Sequence, residues 1–162
     1  MRKSMKIGDE AEFELMNFIS AIDGFLVPQK NEDKNTRIEY DIACGYNRDP
    51  VSSAVEGVVY FEVKNDVMAS KTGNIALEYF NSKSMKASGI TATKADWWVH
   101  KINGELWAIR VKELIDFTKN EKPDKIIIGG GDNNADLMIY KIERFTSVAK
   151  QLSTLTEIED FI

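Results

Sequence analysis

The stretch Val58-Val59-Tyr60-Phe61-Glu62-Val63-Lys64-Asn65-Asp66 decides the fold and places a carboxylate and an amine inside an otherwise apolar run. β-Branched and aromatic residues in series predict a strand, in which successive side chains point to opposite faces. One face carries Val59, Phe61 and Val63, which can be buried, and the other carries Tyr60, Glu62 and Lys64. At about 3.3 Å per residue, the Glu62 and Lys64 side chains start roughly 7 Å apart and can reach one small volume.

Two interpretations of this strand stay open on its own sequence. A half-buried antiparallel strand commonly carries a glutamate and a lysine on its solvent face, where they have no special role. Alternatively, Glu62 and Lys64 belong to a site with room between them for one metal ion and one phosphate oxygen. The second interpretation gains weight only if carboxylates from other elements reach the same place.

Composition narrows the classes of protein to which the chain can belong. Its 162 residues fit one domain, and 43% hydrophobic with 29% charged residues are typical of a soluble globular protein. The basic residues 1–6 lead into no apolar signal core, and no apolar run approaches the ~20 residues of a membrane span. We therefore expect a cytoplasmic protein that has no membrane partner.

The scarcity of cysteine and histidine limits the possible chemistry. One cysteine, Cys44, and one histidine, His100, exclude a disulfide framework and a Cys/His zinc site within one chain. We expect both to be packed structural residues, so carboxylates and lysines must carry any catalysis. The net charge of -5 argues against a surface covered in positive charge but leaves room for local basic patches.

Residues 9–23 form the clearest predicted helix. Its apolar stripe recurs at helical spacing and consists of Ala11, Leu15, Phe18, Ile19 and Ile22. At about 100° per residue, Glu12 lies at the edge of this stripe and is the inward candidate, whereas Glu10 lies well round on the polar side and Glu14 flanks the opposite edge. The alternative is that all these glutamates are solvated and favoured in the first turns by the helix dipole.

Residues 37–45 alternate in polarity and predict a second strand. Asp41 lies in the middle of it, although Asp has poor strand propensity. Such local inconsistencies tend to mark functional residues. The turn-rich residues 45–57 lead into the strand that begins at Val58, so we expect the two strands to form an antiparallel pair.

The next segment predicts a third strand over residues 75–80, which carries Glu78 as a further carboxylate or as an ordinary exposed charge. After it come lysines interspersed with hydroxyl side chains, and a short helix is expected over residues 91–95. The lysines are Lys83, Lys86 and Lys94. Cations and hydroxyls together suit phosphate oxygens, although a solvated loop explains the same residues.

The strongest hairpin signal is Asn103-Gly104, a type I′ turn between residues 96–102 and 105–110. Its tryptophans favour core packing over base stacking, because adjacent Trp97 and Trp98 point to opposite faces. The later predicted elements are a helix over 111–119, strands over 125–129 and 136–142 around a flexible glycine-rich loop at 129–134, and a helix over 143–152.

In order along the chain, the candidates Glu12, Asp41, Glu62 and Lys64 resemble the pattern of the PD-(D/E)XK nuclease superfamily. Residues 8–15 are similar to the first helix of archaeal-type Holliday junction resolvases, in which a functional Glu follows a Gly by four residues. Tyr40-Asp41 and Phe61-Glu62-Val63-Lys64 stand where the family keeps its Asp and its Glu-x-Lys, with Tyr40 in place of the name-giving Pro. Residues 72–98 look like a phage-encoded branch of these nucleases.

The resemblance covers about residues 4–102 and implies an α/β (α+β) fold, a restriction-endonuclease-like αβββαβ core with a mixed central sheet flanked by helices. Residues 103–162 would be a C-terminal extension of the same domain. The implied activity is a Mg²⁺-dependent DNA endonuclease that works as a homodimer, with Mn²⁺ able to substitute. A phage-encoded member would act in the host cytoplasm.

The same resemblance assigns roles to residues. It implies metal ligation by Asp41, Glu62, the Val63 carbonyl and Glu12, with Glu78 and Glu10 as possible additional carboxylates and Lys83, Lys86 and Lys94 as DNA contacts. Next to carboxylates Lys64 should stay protonated, which favours an electrostatic role over that of a general base. The alternatives are a junction resolvase, a restriction endonuclease, or a DNA-binding module without catalysis.

Overall fold

The computed structural model describes residues 7–130 and 134–162; the basic start of the chain and the centre of the predicted glycine-rich loop lie outside these ranges. Its α-helices are α1 Ile7–Ser20, α2 Ala69–Thr72, α3 Val111–Asn120 and α4 Ile142–Thr146. Its strands are β1 Gln29–Lys30, β2 Ile42–Tyr46, β3 Gly57–Asn65, β4 Asn74–Asn81, β5 Lys86–Ala87, β6 Trp97–Ile102, β7 Glu105–Arg110, β8 Lys125–Gly130, β9 Ala135–Lys141 and β10 Lys150–Gln151. Single 3-10 turns span Gly89–Thr91, Leu152–Thr154 and Ile158–Asp160.

The strands form two sheets. The larger sheet has the order β1-β2-β3-β6-β7-β10, in which β3 and β6 are parallel and the other neighbours are antiparallel. The smaller sheet is antiparallel, with the order β5-β4-β9-β8. The predicted α+β class with a mixed sheet is thus confirmed. The predicted third strand forms as β4, and it pairs with β9 in the smaller sheet.

Helix α1 covers one face of the larger sheet through its predicted apolar stripe. Ala11, Leu15 and Ile19 are fully buried and share one core with Phe61 and Val63 of β3. Full burial of a Leu or Phe side chain contributes roughly 1.5–3 kcal/mol. This stripe therefore packs helix α1 firmly against strand β3, which carries Glu62 and Lys64.

A second core joins the larger sheet to the smaller one. Trp98 of β6 is fully buried there with Ile75 and Leu77 of β4 and Tyr140 of β9. Trp97 points the other way, into the core beneath α1. Both tryptophans pack in the interior, as predicted, and neither forms a base-stacking surface.

The predicted hairpin is confirmed. Strands β6 and β7 pair antiparallel across Asn103 and Gly104, whose φ angles of 51° and 81° lie in the left-handed region that a type I′ turn requires. Helix α3 and the antiparallel strands β8 and β9 also form close to their predicted ranges.

The predicted strand over residues 37–45 is wrong in its first half. Turns precede β2, and in them Asp33 accepts the N–H of Asn35 through Oδ1 at 2.9 Å and the N–H of Arg37 through its carbonyl at 2.9 Å. Local bonds of this kind compete with a sheet ladder. Strand β2 therefore begins only at Ile42.

Two predicted helices are wrong in extent. Over residues 91–95, Thr93 Oγ1 donates to the Glu39 carbonyl at 3.0 Å and accepts the N–H of Ala95 at 3.1 Å, which favours a non-helical backbone after a single 3-10 turn. Over residues 143–152, α4 is only 5 residues long and β10 pairs with β7 instead, because tertiary pairing overrides helix propensity.

The short elements β1, α2 and β5 have no counterpart among the predicted elements; each is between 2 and 4 residues long. Across residues 7–130 and 134–162, no helix has the length and apolar character needed to span a membrane.

Candidate active site

Glu62 and Lys64 lie near the end of the central strand β3 and form an ion pair. Lys64 Nζ is 2.7 Å from Glu62 Oε1. The Glu62 side chain is buried, with 7% exposure, whereas the Lys64 side chain keeps 36%. Thr93 Oγ1, whose proton is donated to the Glu39 carbonyl, lies 3.4 Å from Glu62 Oε2. The two charged groups therefore meet as the alternation of the strand predicted.

Asp41 reaches the same place from the residue just before β2. Its N–H donates to the Phe61 carbonyl at 2.9 Å, and its Oδ2 accepts the N–H of Val63 at 2.7 Å. These bonds fall on either side of Glu62 in β3 and hold Asp41 beside it. The position of Asp41 outside the regular strand is what frees its carboxylate to bond a backbone amide of the next strand.

The electrostatics of the three groups are interdependent. Burial raises the pKa of Glu62 to about 7, and the nearby charge of Asp41 adds to that effect, while the Lys64 ammonium opposes it. Burial alone would lower the pKa of Lys64, but its ion pair with Glu62 and the charge of Asp41 outweigh burial and raise it. Lys64 is therefore protonated at neutral pH, and Glu62 shares its neighbourhood with more negative charge than one ammonium neutralises.

Glu12 turns inward, as its place on α1 predicted, and is 5% exposed. Its carboxylate meets two cations, Lys30 Nζ at 2.7 Å from Oε2 and Arg37 at 3.9 Å from Oε1. Lys30 also donates to Asp9 at 2.5 Å, so one ammonium bridges the two carboxylates. Lys30 is a residue that the sequence analysis did not single out, because β1 is too short to show a pattern.

A cleft of about 470 Å³ opens between the two sheets and is called here the Lys64 cleft. It is lined by Lys64, Asn65, Asp66, Val67, Met68, Ala76, Glu78, Trp98, His100 and Leu137. Glu78 reaches it from β4, accepts a hydrogen bond from Ser88 Oγ at 2.7 Å, and contributes to the raised pKa of Lys64. The Lys64 ammonium lies 5.6 Å from the centre of the Trp98 ring. Glu78 thus faces the same space as Lys64.

His100 forms the wall of the cleft as part of a buried chain of hydrogen bonds. The Trp98 indole, which can only donate, reaches His100 Nδ1 at 3.1 Å, so Nδ1 is the acceptor and Nε2 carries the proton. His100 Nε2 then donates to Asp66 Oδ2 at 3.2 Å. Burial would raise the pKa of Asp66, but the bonds from His100 and from two backbone amides outweigh it and lower that pKa. His100 is a packed structural residue, as predicted.

The remaining predicted site residues lie outside this group. Glu10 is exposed and lines a separate pocket of about 310 Å³ beside Lys101. Lys94 pairs with Glu39 at 2.7 Å. Lys83 and Lys86 are exposed at the connection between β4 and β5. Cys44 is buried, as predicted, and burial raises the pKa of its thiol to about 11.

The donor set at Asp41 and Glu62 suits a hard divalent cation. Mg²⁺ takes oxygen ligands and is commonly held by one or two carboxylates together with waters and substrate phosphates. Among the residues that the structure describes, no three Asp, Glu, His or Cys side chains form a group that could hold a metal. The residues that could hold a divalent cation are therefore the pair Asp41 and Glu62. Glu12 is neutralised separately by Lys30.

Comparisons with known proteins add no relative. No protein-family model matches the chain. Searches of the curated proteins and of the solved structures find no match either. The functional assignment consequently rests on the residues of this chain and on their arrangement.

Proposed function

We propose that the chain is a divalent-metal-dependent deoxyribonuclease that cleaves phosphodiester bonds endonucleolytically, in keeping with its resemblance to the PD-(D/E)XK superfamily. The observation that carries the proposal is the meeting of Asp41, Glu62 and Lys64. Asp41 is held by the Val63 amide beside Glu62, and Lys64 lies 2.7 Å from Glu62. Charged side chains on an ordinary strand face the solvent. Here Glu62 is buried, Asp41 is half-buried, and both lie close to the ammonium of Lys64.

Asp41 and Glu62, with the Val63 carbonyl, would hold the cation, whereas Glu12, which the resemblance implies as a further ligand, is paired with Lys30. Mg²⁺, when bound, lowers the pKa of a bound water and neutralises charge on the phosphate. Burial is the main cause of the raised pKa of Glu62, and the charge of Asp41 adds to it, so a cation bound beside both carboxylates would stabilise their ionised forms. Glu62 must lose its proton to hold a cation, so the affinity for the cation should rise as the pH increases through about 7.

Lys64 would act on the phosphate. Its protonated ammonium is neutralised by Glu62 in the free chain. With Glu62 holding a cation, Lys64 would no longer be paired with it and would donate to a phosphate oxygen, where it would stabilise the developing charge. Trp98 supports the ammonium through its ring face, 5.6 Å away.

A second candidate is a DNA-binding module without catalysis. The observation that favours it is the ion pair between Lys64 and Glu62, which is complete without any cation and could serve as a purely structural contact. Under this proposal the chain binds DNA, and substitutions at Asp41 change its stability but no cleavage rate.

The test is cleavage of supercoiled plasmid, linear duplex, single strands and a four-way junction, each with Mg²⁺ and with Mn²⁺. We expect the wild-type chain to cut at least one substrate and Asp41→Asn to cut at least ~100-fold more slowly, since one cation ligand loses its charge. Asp49→Asn, an exposed loop substitution, is the matched control and should cut like wild type. Cleavage confined to the junction would identify a resolvase, and cleavage at one duplex sequence would identify a restriction enzyme.

Two outcomes would contradict the nuclease proposal. One is binding of DNA without cleavage of any substrate, which favours the second candidate. The other is equal cleavage by wild type and Asp41→Asn. Sedimentation of the chain with and without duplex tests the proposed homodimer, which is needed because cutting both strands requires two sites.

A further inference from the structure

The hairpin that joins β4 to β5 projects from the rim of the Lys64 cleft. We call it the Met85 hairpin and define it as residues 78–88. Its base is fixed by the hydrogen bond from Ser88 Oγ to Glu78 Oε1 at 2.7 Å. Its turn is fixed by Asn81, whose Oδ1 accepts the N–H groups of Lys83 at 3.1 Å and Ser84 at 2.9 Å. The hairpin is thus an ordered part of the smaller sheet, held by side-chain hydrogen bonds at its base and in its turn.

Met85, near the tip of the hairpin, has two features that are unfavourable in a surface turn: an exposed apolar side chain and a positive φ angle. Met85 is 72% exposed, so most of its surface is open to solvent. Its φ of 55° lies in the left-handed region, which is unfavourable for a residue with a long side chain and would suit Gly or Asn. Residues held in such conformations cluster at functional sites, where the rest of the structure maintains them.

The charge around Met85 points to the class of partner. Residues 79–95 contain Lys83, Lys86 and Lys94 and no acidic residue, whereas the whole chain carries a net charge of -5. Lys94 is neutralised by Glu39, but across residues 7–130 and 134–162 neither Lys83 nor Lys86 makes an ion pair. Glu78 at the base of the hairpin and Asp136 beside Ser82 each accept a hydroxyl hydrogen bond, and the unpaired lysines lie nearer the tip. A local concentration of unpaired lysines on an acidic protein is the electrostatic feature that attracts a phosphate backbone.

We propose that the Met85 hairpin inserts into a DNA groove, with Lys83 and Lys86 on the phosphates and Met85 wedged against a base step. This inference rests on the proposed nuclease function and names its substrate as DNA that is bent or unstacked beside the cut. Apolar side chains such as Met open base steps in this way, and basic neighbours hold the backbone. An apolar tip without charged neighbours would suit a protein partner equally well. Lys83 and Lys86 favour DNA, because they can contact its phosphates.

The distance from the active site suits this role. From Glu78, which faces Lys64 across the cleft, β4 continues for three residues to Asn81, or about 10 Å at 3.3 Å per residue. That span matches about three base steps along one strand at 3.4 Å each. Met85 directly precedes Lys86, which pairs with Asn81, so the wedge would act about three base steps from a phosphate bound at Lys64 and Glu78.

The experiment measures binding and base unstacking without divalent cations, so that no cleavage is needed for a result. Duplexes and a four-way junction carry 2-aminopurine at successive positions, and affinity is measured over a series of salt concentrations. We expect wild type to raise the 2-aminopurine fluorescence at one or two positions. Met85→Leu should keep this rise, and Met85→Asn, which suits the left-handed backbone, should lose most of it while remaining folded.

The lysines are tested by the salt dependence of the same binding. Each phosphate contact contributes about 0.9 to the slope of log affinity against log salt, so Lys83→Ala with Lys86→Ala should reduce that slope by about 2. The charge-matched control is Lys112→Ala with Lys119→Ala on α3, which should leave both the slope and the fluorescence unchanged.

The outcomes separate this inference from the nuclease proposal. Equal fluorescence and equal salt slopes for wild type and the hairpin variants would overturn the inference even if the chain cleaves DNA. Absence of any DNA binding by wild type would overturn both. Loss of unstacking in Met85→Asn by a chain that never cleaves would keep the inference and reject the nuclease.

Discussion

The raised pKa of Glu62 makes a quantitative prediction for Glu62→Gln. A carboxyl whose pKa is about 7 in the folded chain and 4.5 in the unfolded chain binds its proton more tightly when folded. Its contribution to stability is therefore fully present below pH 4.5 and is lost as the pH rises through about 7. At about 1.36 kcal/mol for each pH unit between the two pKa values, the loss is roughly 3 kcal/mol by pH 8.

The assay is urea unfolding followed by circular dichroism, for wild type and Glu62→Gln, from pH 4 to pH 8. Gln does not titrate, so the free energy of unfolding of the variant minus that of wild type should rise by roughly 3 kcal/mol across this range. The ion pair with Lys64 adds no separate pH dependence, because Lys64 stays protonated below pH 8 and its effect is already contained in the pKa of Glu62.

A control with the opposite sign is Glu56→Gln. Hydrogen bonds from Arg48 lower the pKa of Glu56, so its contribution to stability is present above pH 4.5 and is lost as the pH falls below that value. Glu56→Gln should therefore follow the wild-type pH dependence between pH 5 and pH 8. A difference between Glu62→Gln and wild type that stays flat, or that falls as the pH rises, would refute the account of the Glu62 environment.

Three further predictions concern the fold around the site. Asp41→Asn removes a neighbouring negative charge, so the pKa of Glu62 should fall, which carboxyl NMR titration measures. Gly89→Ala should cost at least ~2 kcal/mol in urea unfolding, because Gly89 has a φ of 53° and an added Cβ would lie 2.1 Å from the Glu78 carbonyl oxygen. His100→Leu leaves the buried Trp98 indole N–H without an acceptor and removes one of the three hydrogen bonds to Asp66. It should cost about 1–3 kcal/mol, and a near-neutral change would contradict the network.

Local patterns predicted the elements whose partners are close in sequence. The stripe of α1, the alternation of β3 and the Asn103-Gly104 turn each follow from a period or a turn preference that a short window contains. The inward direction of Glu12 and the meeting of Glu62 with Lys64 follow from the same two periods. These parts of the fold and of the site could be predicted from the sequence.

The other parts of the fold and of the site depend on contacts between residues that are far apart in the sequence. Strand β4 pairs with β9, in which Ile75 faces Tyr140, and no local pattern indicates so distant a partner. Asp41 is held by a bond to Val63 across two strands, and Lys30 reaches Glu12 from a strand of 2 residues. Such contacts form only in the complete sheet. The sequence therefore allowed the candidate residues to be predicted, but not the residues that they contact.

The most direct test of the central claim is plasmid nicking by Lys64→Met. Met preserves the length and much of the packing of the Lys64 side chain against Trp98 while removing the ammonium that the proposed mechanism places on the phosphate. With Mg²⁺ we expect wild type to nick supercoiled DNA, Lys64→Met to be at least ~100-fold slower, and the exposed control Lys71→Met to match wild type. Equal nicking rates for wild type and Lys64→Met, with both proteins folded, would contradict the assignment of this site.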